Sequence, residues 1–507
     1  MNMTAAQWIA LSPFLIISAT IVAVMLAIAI KRHHWWNATI AVAGLNAALL
    51  ACSILFFGPL FAPELVPQYL PQTITPLVVV DAYSMFYMGL ILSATLATAT
   101  LSHAYMDGYA GNKEEIYLLL TLSALGGILL VCSKHFASLF IGLELLSIPL
   151  YGMVAYPVKS RHALEAGVKY LVLSAAASAF ILFGMALIYA RTGSLAFADL
   201  APSFAAATKE IHGVVLRDLF LLAGGGLIIA GLAFKLSLVP FHLWTPDVYE
   251  GAPAPVTSYL ATASKTAVFA VLLRFFVQGG AEHEPLFLDV LTLMAIASIL
   301  VGNVLALQQT NIKRMLAYSS IAHLGYCLIA VVAGGPLAVE AVGAYLLTYV
   351  VTTLGAFGVV TLMSSPIGDN DADEIEDYRG LFWKRPFLSS ILTVAMLSLA
   401  GIPMTAGFIG KFYVAAVGVD ARLWVLLGAL VIGSAIGLYY YLRLMIALYN
   451  FDAARGLRRR RFFDADTQWA QQAGGLMVLV LMLLMLILGM YPQQFLQMVQ
   501  AANLAAH

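Results

Sequence analysis

The sequence predicts an all-α, polytopic membrane protein with about fourteen transmembrane helices. Of its 507 residues, 62% are hydrophobic and only 10% are charged, and the mean hydropathy is +0.91. Soluble chains carry roughly 45–50% apolar and about 25% charged residues. Apolar runs of the length that crosses a bilayer, about 20 residues, recur along the whole chain. These observations exclude a soluble enzyme, a nucleic-acid binder and a secreted disulfide scaffold.

Fourteen predicted spans are bounded by polar residues, proline or glycine. The first is not a signal peptide, because it lacks a basic segment before it and a small-residue cleavage site after it. The spans cover residues 10–30, 38–58, 78–100, 115–132, 136–156, 167–190, 219–241, 256–277, 287–307, 313–334, 338–363, 386–416, 421–447 and 473–495.

The distribution of basic residues predicts the orientation, because cytoplasmic loops carry an excess of Lys and Arg. With the N-terminus outside, fifteen basic residues lie in cytoplasmic loops: Lys31, Arg32, Lys113, Lys159, Arg161, Lys313, Arg314, Arg379, Lys384, Arg385, Arg455 and Arg458 to Arg461. Five lie outside: Lys134, Arg191, Lys209, Arg217 and Arg422. Both termini are therefore predicted on the outer side. The run Arg458 to Arg461 is interpreted as a topology anchor, with anionic lipid binding as the alternative.

Six basic residues remain within or near the spans. Lys169, Arg274 and Arg443 lie near span ends, where snorkelling to the interface accounts for their charge.

Three lysines and a glutamate lie deeper in predicted spans, namely Lys235, Lys265, Lys411 and Glu144. A charged side chain at the bilayer centre costs at least roughly 2.5–3.5 kcal/mol on insertion scales. Four such residues predict a polar interior rather than a passive bundle.

Two spans have helix-breaking residues beside a buried lysine. Gly224-Gly225-Gly226 and Pro240 flank Lys235, and Gly401-Ile402-Pro403 with Gly407 and Gly410 precede Lys411. Paired breaks predict two inverted five-helix repeats, spans 4–8 and 9–13, although proline and glycine are also frequent in ordinary membrane helices. The predicted segments are 1–110, an N-terminal three-helix segment, 111–280 and 281–447, the two repeats, and 448–507, a basic loop and the last span.

This residue set predicts a proton path, because buried lysine and glutamate can exchange protons near neutral pH and arginine cannot. His323, with Tyr345, Thr348 and Tyr349 on the next span, is a candidate bridge. A hydrogen-bonded histidine between packed helices remains the alternative for His323. His242, just after Pro240, is either an entry group or an interfacial cap.

Three further features are interpreted without a site. Cys52, Cys132 and Cys327 are far apart and lack metal-binding spacing, so the sequence predicts no redox centre. The small residues Ser174 to Ala179 are expected to serve close helix packing. The acidic stretch from Asp369 to Asp377 is expected to be a solvated cytoplasmic loop.

Several segments resemble the antiporter-like subunits of respiratory complex I and of multisubunit cation/proton antiporters. Residues 235–255, KLSLVPFHLWTPDVYEGAPAP, carry the resemblance most specifically. It extends to GLELLSIPLYG around Glu144, ATASKTAVF around Lys265, QTNIKRMLAYSSIAHLGY around His323 and GIPMTAGFIGKFY around Lys411. A lysine at position 411 and a chain that stops after span 14 favour one bacterial complex I subunit type.

The resemblance implies a proton-translocating subunit of an NADH:quinone oxidoreductase in a bacterial inner membrane. In such a subunit Glu144 and Lys235 would be a coupled pair, Lys265 the central lysine and Lys411 the terminal one. Glu165 and Lys169 match cytoplasmic positions of less certain role. NADH, FMN, iron-sulfur clusters and quinone would belong to partner subunits, and the neighbours would include other antiporter-like subunits. A sodium/proton antiporter subunit and a passive membrane scaffold are the alternatives.

Overall fold

The computed structural model describes residues 3–61, 69–109, 111–211, 214–364, 371–451 and 469–502. Nearly all of the described chain is helical, and twelve helices in it are long and apolar enough to cross a membrane.

The described residues up to 109 form four helices and a short hairpin. Asp81 caps α4 through its carboxylate, which accepts a hydrogen bond from the Ser84 amide. The helix α4 therefore begins four residues after the predicted start of the third span, because Val78–Val80 pairs as a strand instead. The elements are α1 (Ala5–Ala10), α2 (Ser12–Ile30), α3 (His34–Phe61), β1 (Gln72–Thr75), β2 (Val78–Val80) and α4 (Ala82–Asp107).

Between residues 111 and 278, the described residues form eight α-helices and a second antiparallel hairpin. They are α5 (Glu115–Val131), α6 (Phe136–Val154), α7 (Arg161–Thr192), α8 (Phe197–Ala205), β3 (Thr208–Ile211), β4 (Val214–Arg217), α9 (Leu219–Leu236), α10 (Trp244–Gly251), α11 (Ala254–Tyr259) and α12 (Lys265–Gln278). A π-helical turn, Leu260–Ser264, joins α11 to α12 into one span that reaches Lys265.

From residue 285 onward, the described residues form nine α-helices. They are α13 (Pro285–Leu307), α14 (Ile312–Ala333), α15 (Gly335–Met363), α16 (Leu381–Lys384), α17 (Pro386–Ala400), α18 (Ala406–Asp420), α19 (Trp424–Tyr449), α20 (Trp469–Met490) and α21 (Gln493–Ala501).

The structure confirms the predicted set of fourteen spans. The twelve long helices, the shorter α5 and the broken pair α17 and α18 each match one predicted span. The span of α11 and α12, together with α14 and α15, is almost fully buried, whereas α2, α7 and α19 expose one apolar side. The almost fully buried spans form the centre of the bundle, and the outer helices offer apolar surface to lipid or neighbouring subunits.

The two broken helices differ in how they are interrupted. The helix α9 runs without a break through Gly224-Gly225-Gly226, so the prediction that this triplet interrupts it is wrong. A Cβ at Gly224 would lie 2.8 Å from the Gly184 carbonyl oxygen, so this glycine allows α7 and α9 to approach closely. The helix ends instead at Leu236, where Ser237 adopts a left-handed conformation with φ of 64°, and Pro240 follows in the non-helical segment.

Arg274 does not snorkel, so that expectation is wrong. Its side chain is fully buried, and its two terminal nitrogens donate to the two Asp81 oxygens at 2.7 and 2.8 Å. The guanidinium carbon lies 4.7 Å from the centre of the Tyr83 ring. Arg443 likewise turns inward and donates to the backbone carbonyls of Leu307 and Gln309. Arg274 thus connects α12 to the start of α4, and Arg443, which is half-buried, connects α19 to the end of α13.

The acidic stretch is solvated only in part. The Asp371 carboxylate is 5% exposed and accepts hydrogen bonds from Lys313 (2.8 Å), from the Tyr105 hydroxyl (2.7 Å) and from the Ala254 amide (3.1 Å). This single carboxylate binds residues of α4, α11 and α14, so the expectation of a solvated loop is wrong at Asp371. Asp369 and the run Arg458 to Arg461 lie outside the described residues.

Candidate functional site

Lys235 lies at the C-terminal end of α9 and is bound by two serines. Its Nζ donates to Ser147 Oγ on α6 at 2.8 Å and to Ser174 Oγ on α7 at 2.6 Å. Ser174 also shares a hydrogen bond of 2.6 Å with the Tyr151 hydroxyl. The last-turn carbonyls of a helix carry partial negative charge, which favours a cation at this position.

Glu144 is one turn away from Ser147 on the same face of α6. Its Oε1 accepts a hydrogen bond of 2.5 Å from Ser178 Oγ on α7. Among the described residues, Glu144 and Lys235 form no direct ion pair, and α7 supplies one serine hydroxyl to each of them, Ser178 to Glu144 and Ser174 to Lys235. The predicted pair is therefore an indirect one, with α7 supplying a serine to each member.

Lys265 is 1% exposed and belongs to a second polar group. Its Nζ donates to Ser320 Oγ on α14 at 2.8 Å, and Ser320 shares a hydrogen bond of 2.6 Å with the Tyr349 hydroxyl on α15. The ammonium also lies 5.4 Å from the centre of the Tyr249 ring. The π-helical turn directly before Lys265 is typical of functional sites in helices.

His323 lies one turn beyond Ser320 on α14 and bridges two tyrosines. Its Nδ1 is 2.7 Å from the Tyr345 hydroxyl, and its Nε2 is 3.2 Å from the Tyr441 hydroxyl on α19. Tyr441 in turn shares a hydrogen bond of 2.5 Å with Ser319. The predicted contact with Tyr345 is present, whereas the Thr348 hydroxyl donates to the backbone carbonyl of Tyr345.

Lys411 follows the break between α17 and α18, as predicted. Its Nζ donates to the backbone carbonyl of Ala400, the last residue of α17, at 3.0 Å, and lies 5.2 Å from the centre of the Tyr326 ring. Lys235 lies in the last turn of α9 and Lys411 binds the carbonyl of the last residue of α17, so both lysines lie at the negative end of a helix dipole.

Three lysines thus lie in the bundle with neutral partners. Within the described residues, none of Lys235, Lys265 and Lys411 forms an ion pair with a carboxylate. Hydroxyls, carbonyls and ring faces can accompany both the charged and the neutral amine. Such surroundings suit groups that gain and lose a proton, whereas a tight ion pair would hold the charge in place.

The structure does not bring His242 into the polar groups around the lysines. It is buried in the turn between α9 and α10, and its Nδ1 has no hydrogen-bond partner within the described chain. Its two predicted roles, an entry group and an interfacial cap, both remain predictions.

The serines and Tyr441 were missed in the sequence. The sequence predicts a packing role for Ser174 and Ser178, yet their hydroxyls bind Lys235 and Glu144. The available signal was their spacing of four residues, which places both on one face of α7. Tyr441 had no such signal, because its contact with His323 joins helices far apart in the chain.

A charged network lies at the end of the bundle that the basic residues mark as cytoplasmic. Asp247 accepts from Lys169 Nζ at 2.9 Å and from Arg314 Nη1 at 2.8 Å. Lys169 also pairs with Glu165, and Arg314 with Glu250. Burial raises the pKa of the Asp247 carboxyl, but the hydrogen bonds from Lys169 and Arg314 outweigh it and hold the pKa below its usual value. The network connects α7, α10 and α14.

Comparisons with known proteins agree with this architecture. A family model described as NADH:quinone oxidoreductase/Mrp antiporter, transmembrane, matches residues 133–437. The NADH-quinone oxidoreductase subunit N of Ectopseudomonas mendocina (strain ymp) is 54% identical over 99% of this chain and 98% of its own length.

Solved structures show the same fold. A chain of respiratory complex I from Thermus thermophilus with bound aureothin is 34% identical, with a TM-score of 0.78 over 96% of this chain and 99% of that chain. A chain of the Mrp complex from Dietzia sp. DQ12-45-1b, 19% identical, has a TM-score of 0.81 over 99% of this chain and 97% of that chain, and it shows the fold alone.

The fold and the family model define an antiporter-like, multi-pass membrane subunit. Within that class, the chain belongs to the family of NADH-quinone oxidoreductase subunit N, the membrane subunits of bacterial respiratory complex I.

Proposed function

We propose that this chain translocates protons as a membrane subunit of an NADH:quinone oxidoreductase, through a path that uses Glu144, Lys235, Lys265, His323 and Lys411. The observation that carries the proposal is the series of buried hydroxyl-bound amines along the centre of the bundle. The lysine Nζ atoms reach Ser147, Ser174 and Ser320, each from a different helix.

The path consists of hydrogen-bonded groups rather than one continuous chain of bonds. One group contains Glu144 and Lys235 with their serines, the next contains Lys265, Ser320 and Tyr349, and the third contains His323 with its two tyrosines. A change of charge at Glu144 acts on Lys235 through the low-dielectric interior, since Ser147, which binds Lys235, lies one turn from Glu144 on α6. A proton released at one group then changes the proton affinity of the next.

The energy for this movement would come from quinone reduction in other subunits. NADH, FMN, the iron-sulfur clusters and quinone are assigned to partner subunits, and this chain contributes the proton path alone. The predicted repeats, 111–280 and 281–447, would each carry one broken helix and one part of the path.

We further propose that the chain lies in the bacterial inner membrane with both termini on the periplasmic side. In support, the ion pairs join residues that the charge distribution assigns to one side: Arg32 with Glu115, and Arg314 with Asp247. A phosphatase reporter fused to the C-terminus should be active in the periplasm, and one placed at Lys159 should be inactive. The reverse pattern would invert the orientation.

Lys235→Ala tests the proton path. Proton pumping and NADH:quinone turnover are measured in membranes that carry the variant, and assembly of the complex is measured in the same membranes. Lys134→Ala, which removes a lysine outside the spans, is the matched control. We expect the Lys235 variant to assemble and to lose pumping and coupled turnover together.

Wild-type pumping in the assembled Lys235 variant would contradict the path and favour a passive scaffold. Pumping that depends on added sodium would instead favour the sodium/proton antiporter alternative.

A further inference from the structure

Two histidines and an aspartate meet at one end of the N-terminal helices, outside the proton path. His103 and Asp107 are four residues apart in the last turns of α4 and share one face. His34 begins α3, and its ring centre lies 4.6 Å from that of His103. One nitrogen of each histidine and one Asp107 oxygen all lie within 4.8 Å of one another.

The spacing of these atoms fits a tetrahedral metal ion. With zinc bonds of about 2.0–2.1 Å, neighbouring ligand atoms lie roughly 3.4 Å apart. His34 Nε2 and Asp107 Oδ1 are 3.5 Å apart already. The other ligand atoms need to approach by no more than roughly 1.5 Å, which side-chain rotation can supply.

Negative charge converges at this place, where the Asp107 carboxylate faces the ring of His34. The His103 carbonyl, 3.3 Å from His34 Nε2, also contributes partial negative charge near the end of α4.

The site is open on one side and acidic on that side. The Asp107 side chain is 39% exposed and that of His34 is 12% exposed, so an ion has an entry and a water can complete the coordination. Lys113 opposes a cation, but its ammonium donates to the Asp107 backbone carbonyl at 2.5 Å and leaves the carboxylate facing His34. Imidazole ligands favour zinc over magnesium or calcium.

We propose that His34, His103 and Asp107 bind a Zn²⁺ ion that joins α3 to α4. The ion links the first helices of the chain at the end where α5 begins.

Zinc content tests the site directly. The complex is purified through a tag without histidines, stripped with a chelator, dialysed against defined free zinc and analysed by mass spectrometry of the metal. We expect the wild type to hold one zinc more per complex than His34→Gln or His103→Gln. The matched control is His33→Gln, which changes the exposed histidine that precedes His34 and should retain the zinc content of the wild type.

Equal zinc content in the wild type and both histidine variants would overturn the proposal. Asp107→Asn, at a more exposed position, provides a third variant if a histidine variant fails to assemble. As a second measurement, zinc should raise the unfolding temperature of the wild type and the His33 variant, because a ligand bound only to the folded state stabilises it. An equal rise in the His34 and His103 variants would also overturn the proposal. Neither measurement depends on proton translocation.

Discussion

Lys265 of α12 and Ser320 of α14 are joined by a hydrogen bond of 2.8 Å that crosses the boundary predicted between residues 280 and 281. Ser320 continues to the Tyr349 hydroxyl on α15. The central lysine therefore binds a residue of the following helices and connects the two predicted repeats through a single hydroxyl.

Ser320→Ala should interrupt this connection. A hydrogen bond to a charged group is worth about 1.5–3 kcal/mol, so we expect pumping to fall at least several-fold while the complex assembles. Pumping in membranes is the measurement. Ser389→Ala is the matched control, because Ser389 is fully buried and its hydroxyl has no partner among the described residues. Equal pumping in the two variants would show that Ser320 is outside the path.

Arg274→Met should destabilise the protein strongly. It leaves the Asp81 carboxylate without its bidentate partner, and breaking a buried ion pair by removing one member costs about 3–5 kcal/mol. Thermal unfolding and the steady-state level of the chain are the measurements. Arg191→Met, which removes the exposed partner of Asp218, should have a much smaller effect. If the two arginine variants were equally stable, Arg274 would not hold the N-terminal helices to α12.

Gly224→Ala should weaken the packing of α7 on α9. The added methyl group would lie 2.8 Å from a backbone oxygen, and overpacking of this kind costs about 1–3 kcal/mol. Gly226→Ala is the control in the same triplet, since a Cβ there meets nothing within 4 Å. The thermal unfolding temperature should fall for position 224 and stay unchanged or rise for position 226. A similar fall at both positions would contradict the packing role of Gly224, because helix propensity favours alanine over glycine at either position.

Asp247→Asn should change the dependence of stability on pH. Because the pKa of Asp247 is lowered in the folded protein, its carboxylate stabilises the fold above its unfolded pKa, about 3.9, and this contribution is lost as the pH falls through the lower folded value. The difference in unfolding temperature between wild type and variant should therefore be present at neutral pH and shrink below roughly pH 4. Asp420→Asn, at an exposed helix end, should show little difference at any pH. A gap that stays constant on acidification would contradict the ionic role of Asp247.

The two predicted helix breaks show which features of the fold a local sequence pattern can predict and which it cannot. Glycine and proline around Lys411 correctly marked the end of α17 at Ala400, because the break is a property of the adjacent chain. The glycine triplet before Lys235 has the same local pattern, yet it lies inside a continuous helix. There Gly224 packs closely against Gly184 of α7, and the local sequence does not predict this contact. Segment boundaries at 110, 280 and 447 stay predictions, as do the roles of the individual site residues.

The sequence by itself determined the membrane class, the set of spans and the buried lysines. Hydropathy and the cost of a charge in hydrocarbon are properties of each segment alone, so both can be predicted from the sequence without a structure. The tertiary structure decided the partners: serines for Lys235 and Lys265, Asp81 for Arg274 and Tyr441 for His323. These contacts join helices separated by tens to hundreds of residues, and only the packing of the bundle selects which polar faces meet.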